Sequence, residues 1–280
     1  MGLFDLFEDA KENVEKAQRA REYRQRAKEL VREAEDIYER AYDRTMKVVC
    51  KVENELKQHI NFKEGIGKEL KSDVNIVVSK FKAFDIDSKI ERMNDKMEQG
   101  FSMNRFQSAL DNCIIMNPQI PSKLDSFFNT EDYYEAKRQR DEARRYKEQM
   151  KAEREKLYSY KDRIEAISEF LKNEKYELDI LMKKIRTMTE ELKDGMNKEQ
   201  FSEEEAQYLK GIQKITESIM ELLSTDFLSN DFRINEVYMD SYEKIKKINM
   251  NLPDSPNLFN VNIANIIRAS NTINEKVWCK

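Results

Sequence analysis

The chain has 280 residues, of which 37% are charged and 39% hydrophobic, with only six Gly and four Pro. Basic and acidic residues nearly balance (50 against 54) and alternate along the same segments, which excludes a polyelectrolyte tail and gives no general reason to bind nucleic acid. A charge content well above the ~25% of ordinary domains, with so few turn formers, calls for long helices with wide wet faces.

From about Asp9 to Asn61 there is neither Pro nor Gly, and apolar residues recur in threes and fours from Val14 through Ala27, Leu30, Ala34, Ile37 and Ala41 to Leu56 and Ile60. That is one helical stripe, equivalent to a rod of about 75 Å. Gly65 and Gly67 are expected to end it. An apolar patch from Val74 to Phe84 follows, then a turn at Asp85-Ile86-Asp87, a helix over about 88–99 stopped by Gly100, and an apolar core segment from Asn104 to Met116 closed by Pro118 and Pro121.

Thr130 is the expected N-cap of a second long helix, about 131–194, almost wholly charged between Lys137 and Lys156. Its stripe runs through Tyr146, Met150 and Leu157 to Leu192, and a bend or break is expected near Asn173. Ser202 with Glu205 reads as a capping box opening a helix to about Leu223. Helices over about 231–249 and 258–278 follow, the last carrying Phe259 and Trp278. No strand is predicted.

The expected fold class is all-α: an elongated bundle of two long, charged, coiled-coil-like helices with shorter apolar helices. The halves 1–129 and 130–280 share this plan and pack as one bundle, with a stalk built on Ala27, Leu30, Ala34, Ile37, Ala41, Tyr146, Met150 and Leu157. A gap-free overlay of 17–44 on 136–163 gives eight identities, among them Arg19 with Arg138 and Asp43 with Asp162, a weak trace of duplication.

Chemistry-bearing motifs are sparse. His59 is the single histidine, has Leu56 rather than Glu three residues before it, and reads as an ordinary helix-surface residue. Gly65-Ile66-Gly67-Lys68 lacks the first Gly and the closing Ser or Thr of a phosphate loop, Phe62 and Glu69 standing there. Asp85-Ile86-Asp87 lacks the Gly and Glu of a calcium loop, with Ile90 and Lys96 in their places. No catalytic, cofactor-binding or metal-binding residues are predicted, and the carboxylates read as solvated ion-pair partners. Cys50, Cys113 and Cys279 are too far apart for a local motif and read as reduced, mostly buried thiols. With no membrane span and no secretory signal, a cytoplasmic protein is expected. The abundance of Lys and Asn points to an AT-rich bacterial or phage genome.

Leu3, Phe4, Leu6 and Phe7 lie close together on one arc of a helix and form the candidate docking element, for a partner or for a membrane surface. Asp5, Glu8, Asp9, Glu12 and Glu15 on the other face would be repelled by anionic lipid. The general plan is similar to that of phage-shock-type and other membrane-remodelling helical proteins, an amphipathic start before a long hairpin, though no specific motif matches. The expectation is a non-enzymatic scaffold or adaptor that binds protein partners or a second copy of itself as a homo-oligomer. Peripheral membrane binding through the N-terminus is the alternative.

Overall fold

The structure, a computed structural model, describes residues 3–74, 103–113, 132–195, 202–229 and 232–271. They form six α-helices: α1 Leu3–Glu69, continued by a π turn Leu70–Val74; α2 Met103–Cys113; α3 Tyr133–Gly195; α4 Glu203–Ser224; α5 Glu236–Asn251; and α6 Ile263–Asn271. Among the described residues the only β pairing is an isolated bridge between Leu228 and Ile234. The expected features at 75–100, at Pro118 and Pro121, at Thr130 and beyond Asn271 lie outside the described residues.

Two expected breaks are absent. α1 passes through Gly65 and Gly67. Ile66, Gly67 and Leu70 are buried there, and that burial outweighs the roughly 1 kcal/mol that each helical Gly costs. α3 runs unbroken through Asn173, because the polar gap in its stripe is filled by Glu174, buried and fully partnered. The first turn of α3 is capped by Asp132, whose carboxylate accepts the Glu135 amide at 2.8 Å. α4 begins with the expected capping box, Ser202 and Glu205 each accepting the other's backbone N–H. Phe259 precedes α6 in an Asn-stabilised turn and is 97% exposed, rather than sitting on an apolar helix face.

The residues group into two compact units. The first comprises 1–50 and 113–162. Within it α1 and α3 pair in parallel: Glu33 meets Lys147, Arg44 meets the Tyr158 hydroxyl, and Thr45 donates to the Leu157 carbonyl at 3.4 Å. In a parallel pair the difference between partner numbers stays constant, and here it is 114, 114 and 112. The seam is lean and rich in alanine: Ala20, Ala27, Ala34 and Ala41 on α1, and Ala136 and Ala143 on α3, are all fully buried.

The second unit comprises 51–112 and 163–280. There too α1 and α3 run parallel, with Glu55 bonded by Ser168, His59 by Glu174 and Glu69 by Arg186, at separations of 113, 115 and 117. These separations fall short of the 119-residue offset of the sequence overlay, so the paired residues are not the equivalent ones. Around the pair, α4, α5 and α6 pack on one another. Gly211 on α4 makes room for Ile263 of α6, whose Cδ1 would lie 2.6 Å from any Cβ at that position. Phe170, Phe227, Tyr238 and Tyr242 form an aromatic core with ring centroids 4.8–6.1 Å apart, mostly edge to face. Phe232 holds a positive φ of 59°, where a bulky residue is strained, and its buried ring meets Phe106 edge-on at 5.6 Å.

Candidate functional site

A polar residue on a buried stripe must bring its partners with it. α3 buries every seventh residue from Ala136 through Ala143, Met150, Leu157, Ile164, Leu171, Leu178 and Ile185 to Leu192. A second row, three residues on, contains Gln139, Tyr146, Ile167, Glu174, Leu181 and Met188, also buried. On α1, Val52, His59 and Ile66 form one row and Val49, Leu56, Lys63 and Leu70 another. The apolar period therefore carries His59, Lys63 and Glu174 into the interior.

There they converge. The Glu174 carboxylate, fully buried, lies 3.0 Å from His59 Nε2 and 2.8 Å from Lys63 Nζ, and also accepts the Tyr238 hydroxyl of α5. Lys63 further donates to that hydroxyl and stands 4.5 Å from the centre of the Tyr238 ring. One carboxylate thus ties together α1, α3 and α5. His59 is not the surface residue expected: it is 4% exposed, in a core row.

The charges follow from the burial. Loss of water pushes the His59 imidazole below its ordinary value against the opposing pull of Glu174, and pushes the Lys63 ammonium down in the same way. Burial alone would raise Glu174, but the Lys63 charge and the His59 hydrogen bond outweigh it and hold the carboxyl below its ordinary value. A carboxylate at Glu174 can only accept, so the His59 nitrogen and the Lys63 ammonium that face it are the donors. Tyr242, packed near it, is pushed up to about 12 by burial and by Glu177 and Glu174.

Beside the cluster an open groove of about 220 Å³ is lined by Glu55, Gln58 and His59 of α1 and by Ser168, Leu171, Lys172 and Lys175 of α3. The Ser168 hydroxyl is committed to Glu55, and Lys172 lies 3.8 Å from the same carboxylate. The arrangement clamps helices: a buried pair fixes which side chains face each other more than it adds stability. Lys184 makes a second, smaller clamp, donating to the Asn249 and Leu252 carbonyls at the end of α5 at 3.0 and 2.8 Å. Among the described residues no group of three His, Cys, Asp or Glu side chains converges as a metal site.

The stalk residues named from the sequence do come together. Ala27, Leu30, Ala34, Ala41, Tyr146, Met150 and Leu157 are buried in the first unit, and Ile37 is half-buried at its margin. Leu3, Phe4, Leu6 and Phe7 fall within α1, and their side chains lie outside the described residues. Cys50 is a free, exposed thiol. Sequence reasoning missed His59, Lys63, Glu174 and Gln139, although all four stand at spacings that continue the apolar rows. The chain matches no known protein family, no curated protein and no solved structure.

Proposed function

We propose that the protein is a non-enzymatic helical scaffold that works through coiled-coil interfaces, its own parallel seam first, and that it self-associates in the cytoplasm. The observation carrying this reading is the unbroken seven-residue repeat of buried positions along α3 from Ala136 to Leu192, set in parallel against α1. The sparse Ala-rich seam of the first unit leaves most of each helix surface polar and available to other chains, and polar residues at core positions fix register. Size-exclusion chromatography with light scattering, over a hundredfold range of concentration, tests it. A mass above 33.4 kDa that rises with concentration supports self-association; a strict monomer that cross-links to no other protein in its native cell extract refutes the scaffold.

A second reading is peripheral membrane binding through Leu3, Phe4, Leu6 and Phe7. It is favoured by the start of α1 at Leu3, which puts these residues on a helix. Against the likeness to hairpin-type membrane proteins stands the direction of α1 and α3, parallel where a hairpin is antiparallel. No described helix is long and apolar enough to cross a membrane. Flotation with liposomes that is lost in a Phe4→Asp/Phe7→Asp variant would favour this reading; full-length protein that stays at the bottom of the gradient would dispose of it.

A further inference from the structure

The groove beside the buried cluster lies wholly within the second unit. Its lining takes one turn of α1, from Glu55 to His59, and two turns of α3, from Ser168 to Lys175. Two turns of helix rise about 11 Å, so the opening suits a small molecule and not another helix. Its volume of about 220 Å³ is several times the ~30 Å³ of one water. Polar groups line it at two depths. His59 and Ser168 are 4% and 6% exposed and form the floor with the buried Leu171. Gln58, Lys172 and Lys175 are exposed and form the rim.

The charges of the lining do not balance. Glu55 is already engaged: it accepts the Ser168 hydroxyl and lies 3.8 Å from Lys172 and 3.9 Å from Lys51. Lys175 stands 5.3 Å from the centre of the Phe62 ring and forms no ion pair among the described residues. Two ammonium groups therefore face one carboxylate that a third lysine also neutralises, and the groove is left electropositive. Its cations are lysines, with no arginine among them. Lysine holds an anion as a compact point charge and binds phosphoryl groups well, whereas planar recognition of a carboxylate favours the arginine fork.

We propose that this groove binds a small phosphoryl anion, held by the ammonium groups of Lys172 and Lys175 and by the Gln58 amide at the rim, above the floor of His59, Ser168 and Leu171. The anion supplies Lys175 with the counter-charge it lacks among the described residues. Inorganic phosphate and a phosphomonoester share the phosphoryl oxygens and differ in what else they bring. Inorganic phosphate keeps a P–O–H at neutral pH, which the Glu55 carboxylate can accept; a monoester, whose second proton leaves at about pH 6, keeps none and brings an organic body for Leu171. The site lies within one copy of the chain and does not depend on self-association.

The test reads the imidazole resonances of His59 by NMR in the full chain, where the single histidine needs no assignment. Inorganic phosphate, glycerol phosphate and acetate are titrated in turn at constant ionic strength and at about pH 7.5, above the ordinary histidine value. Inorganic phosphate or glycerol phosphate is expected to shift the resonances saturably, with a dissociation constant on the order of 1 mM for a half-open site. The tighter of the two identifies the source of the phosphoryl group. Lys172→Ala/Lys175→Ala, checked for unchanged helicity by circular dichroism, is expected to bind at least about tenfold more weakly, since each lost charged hydrogen bond is worth about that much. Lys210→Ala, an exposed lysine of α4, is expected to bind as the unmodified protein does. Shifts that rise without saturating for both phosphates, or saturable binding that survives loss of both groove lysines, overturn the site. Acetate that binds as tightly as either phosphate overturns its assignment to a phosphoryl group.

Discussion

The carboxylate of Glu174, in the second buried row of α3, lies 2.8 Å from the ammonium of Lys63 on α1, and both groups are shut off from solvent. A charge kept in such a place depends on its partner. Glu174→Ala leaves Lys63 buried without the Glu174 counter-charge, and is expected to cost about 3–5 kcal/mol in urea unfolding. The double variant Glu174→Leu/Lys63→Met removes both charges and is expected to recover most of that loss. A double variant no better than Glu174→Ala would contradict the pairing.

Acid is expected to weaken the fold in two stages. His59 is held below the ordinary 6.5, so as pH falls past that value the unfolded chain takes up a proton that the folded chain resists, and stability is lost. Glu174 is held below the ordinary 4.5, so a further loss follows as pH falls below it. The first stage should vanish in His59→Gln, which keeps a donor for Glu174 without a titrating ring. Urea midpoints measured from about pH 8 to about pH 5 read the first stage, and a series carried on well below pH 4.5 reads the second.

Gln139 is fully buried in the first unit, with neither its amide oxygen nor its amide nitrogen hydrogen-bonded. An unsatisfied buried amide costs about 1–3 kcal/mol. Gln139→Leu is expected to raise the unfolding midpoint, and a fall would mean that the amide is needed to align the seam.

Gly65 is exposed inside α1, and a Cβ there would touch nothing within 4 Å. Gly65→Ala is expected to stabilise by about 0.5–1 kcal/mol through helix propensity and the lost freedom of the unfolded chain. Gly211→Leu is the contrasting case: a bulky side chain collides with Ile263 and should destabilise the α4–α6 packing. Thermal unfolding of the two variants side by side checks the contrast.

Ser202 accepts the Glu205 amide at 3.2 Å and donates its own amide to the Glu205 carboxylate at 2.9 Å. Ser202→Ala keeps the second bond and loses the first, for a cost of about 1 kcal/mol. Hydrogen exchange at the first turn of α4 should quicken, while amides at its centre should change little.

The all-α class, the two long helices and the capping box at Ser202 were legible because they depend on residues near in sequence. The helix through Gly65 and Gly67 was not, because the burial of Ile66 and Leu70 that holds it comes from distant elements. The same holds for Asn173: a polar gap between Leu171 and Leu178 reads locally as an interruption, and becomes continuous only when His59, Lys63 and Tyr238 supply Glu174 with donors. One signal was available. Val49, Val52, Leu56, His59, Lys63, Ile66 and Leu70 keep a strict three-and-four spacing, so a histidine and a lysine on that row announced a buried partner of opposite charge.

Parallel pairing with partners 112 to 117 residues apart sets a timetable for synthesis. Every inter-helix contact of α1 with α3 waits until more than a hundred further residues have been made. At about 5–20 residues per second, α1 leaves the ribosome roughly 6–23 s ahead of the helix it pairs with. During that interval Leu30, Leu56 and the buried charge at Lys63 have no native neighbour on α3, so the newborn chain must be kept soluble by its own dense surface charge or by a chaperone.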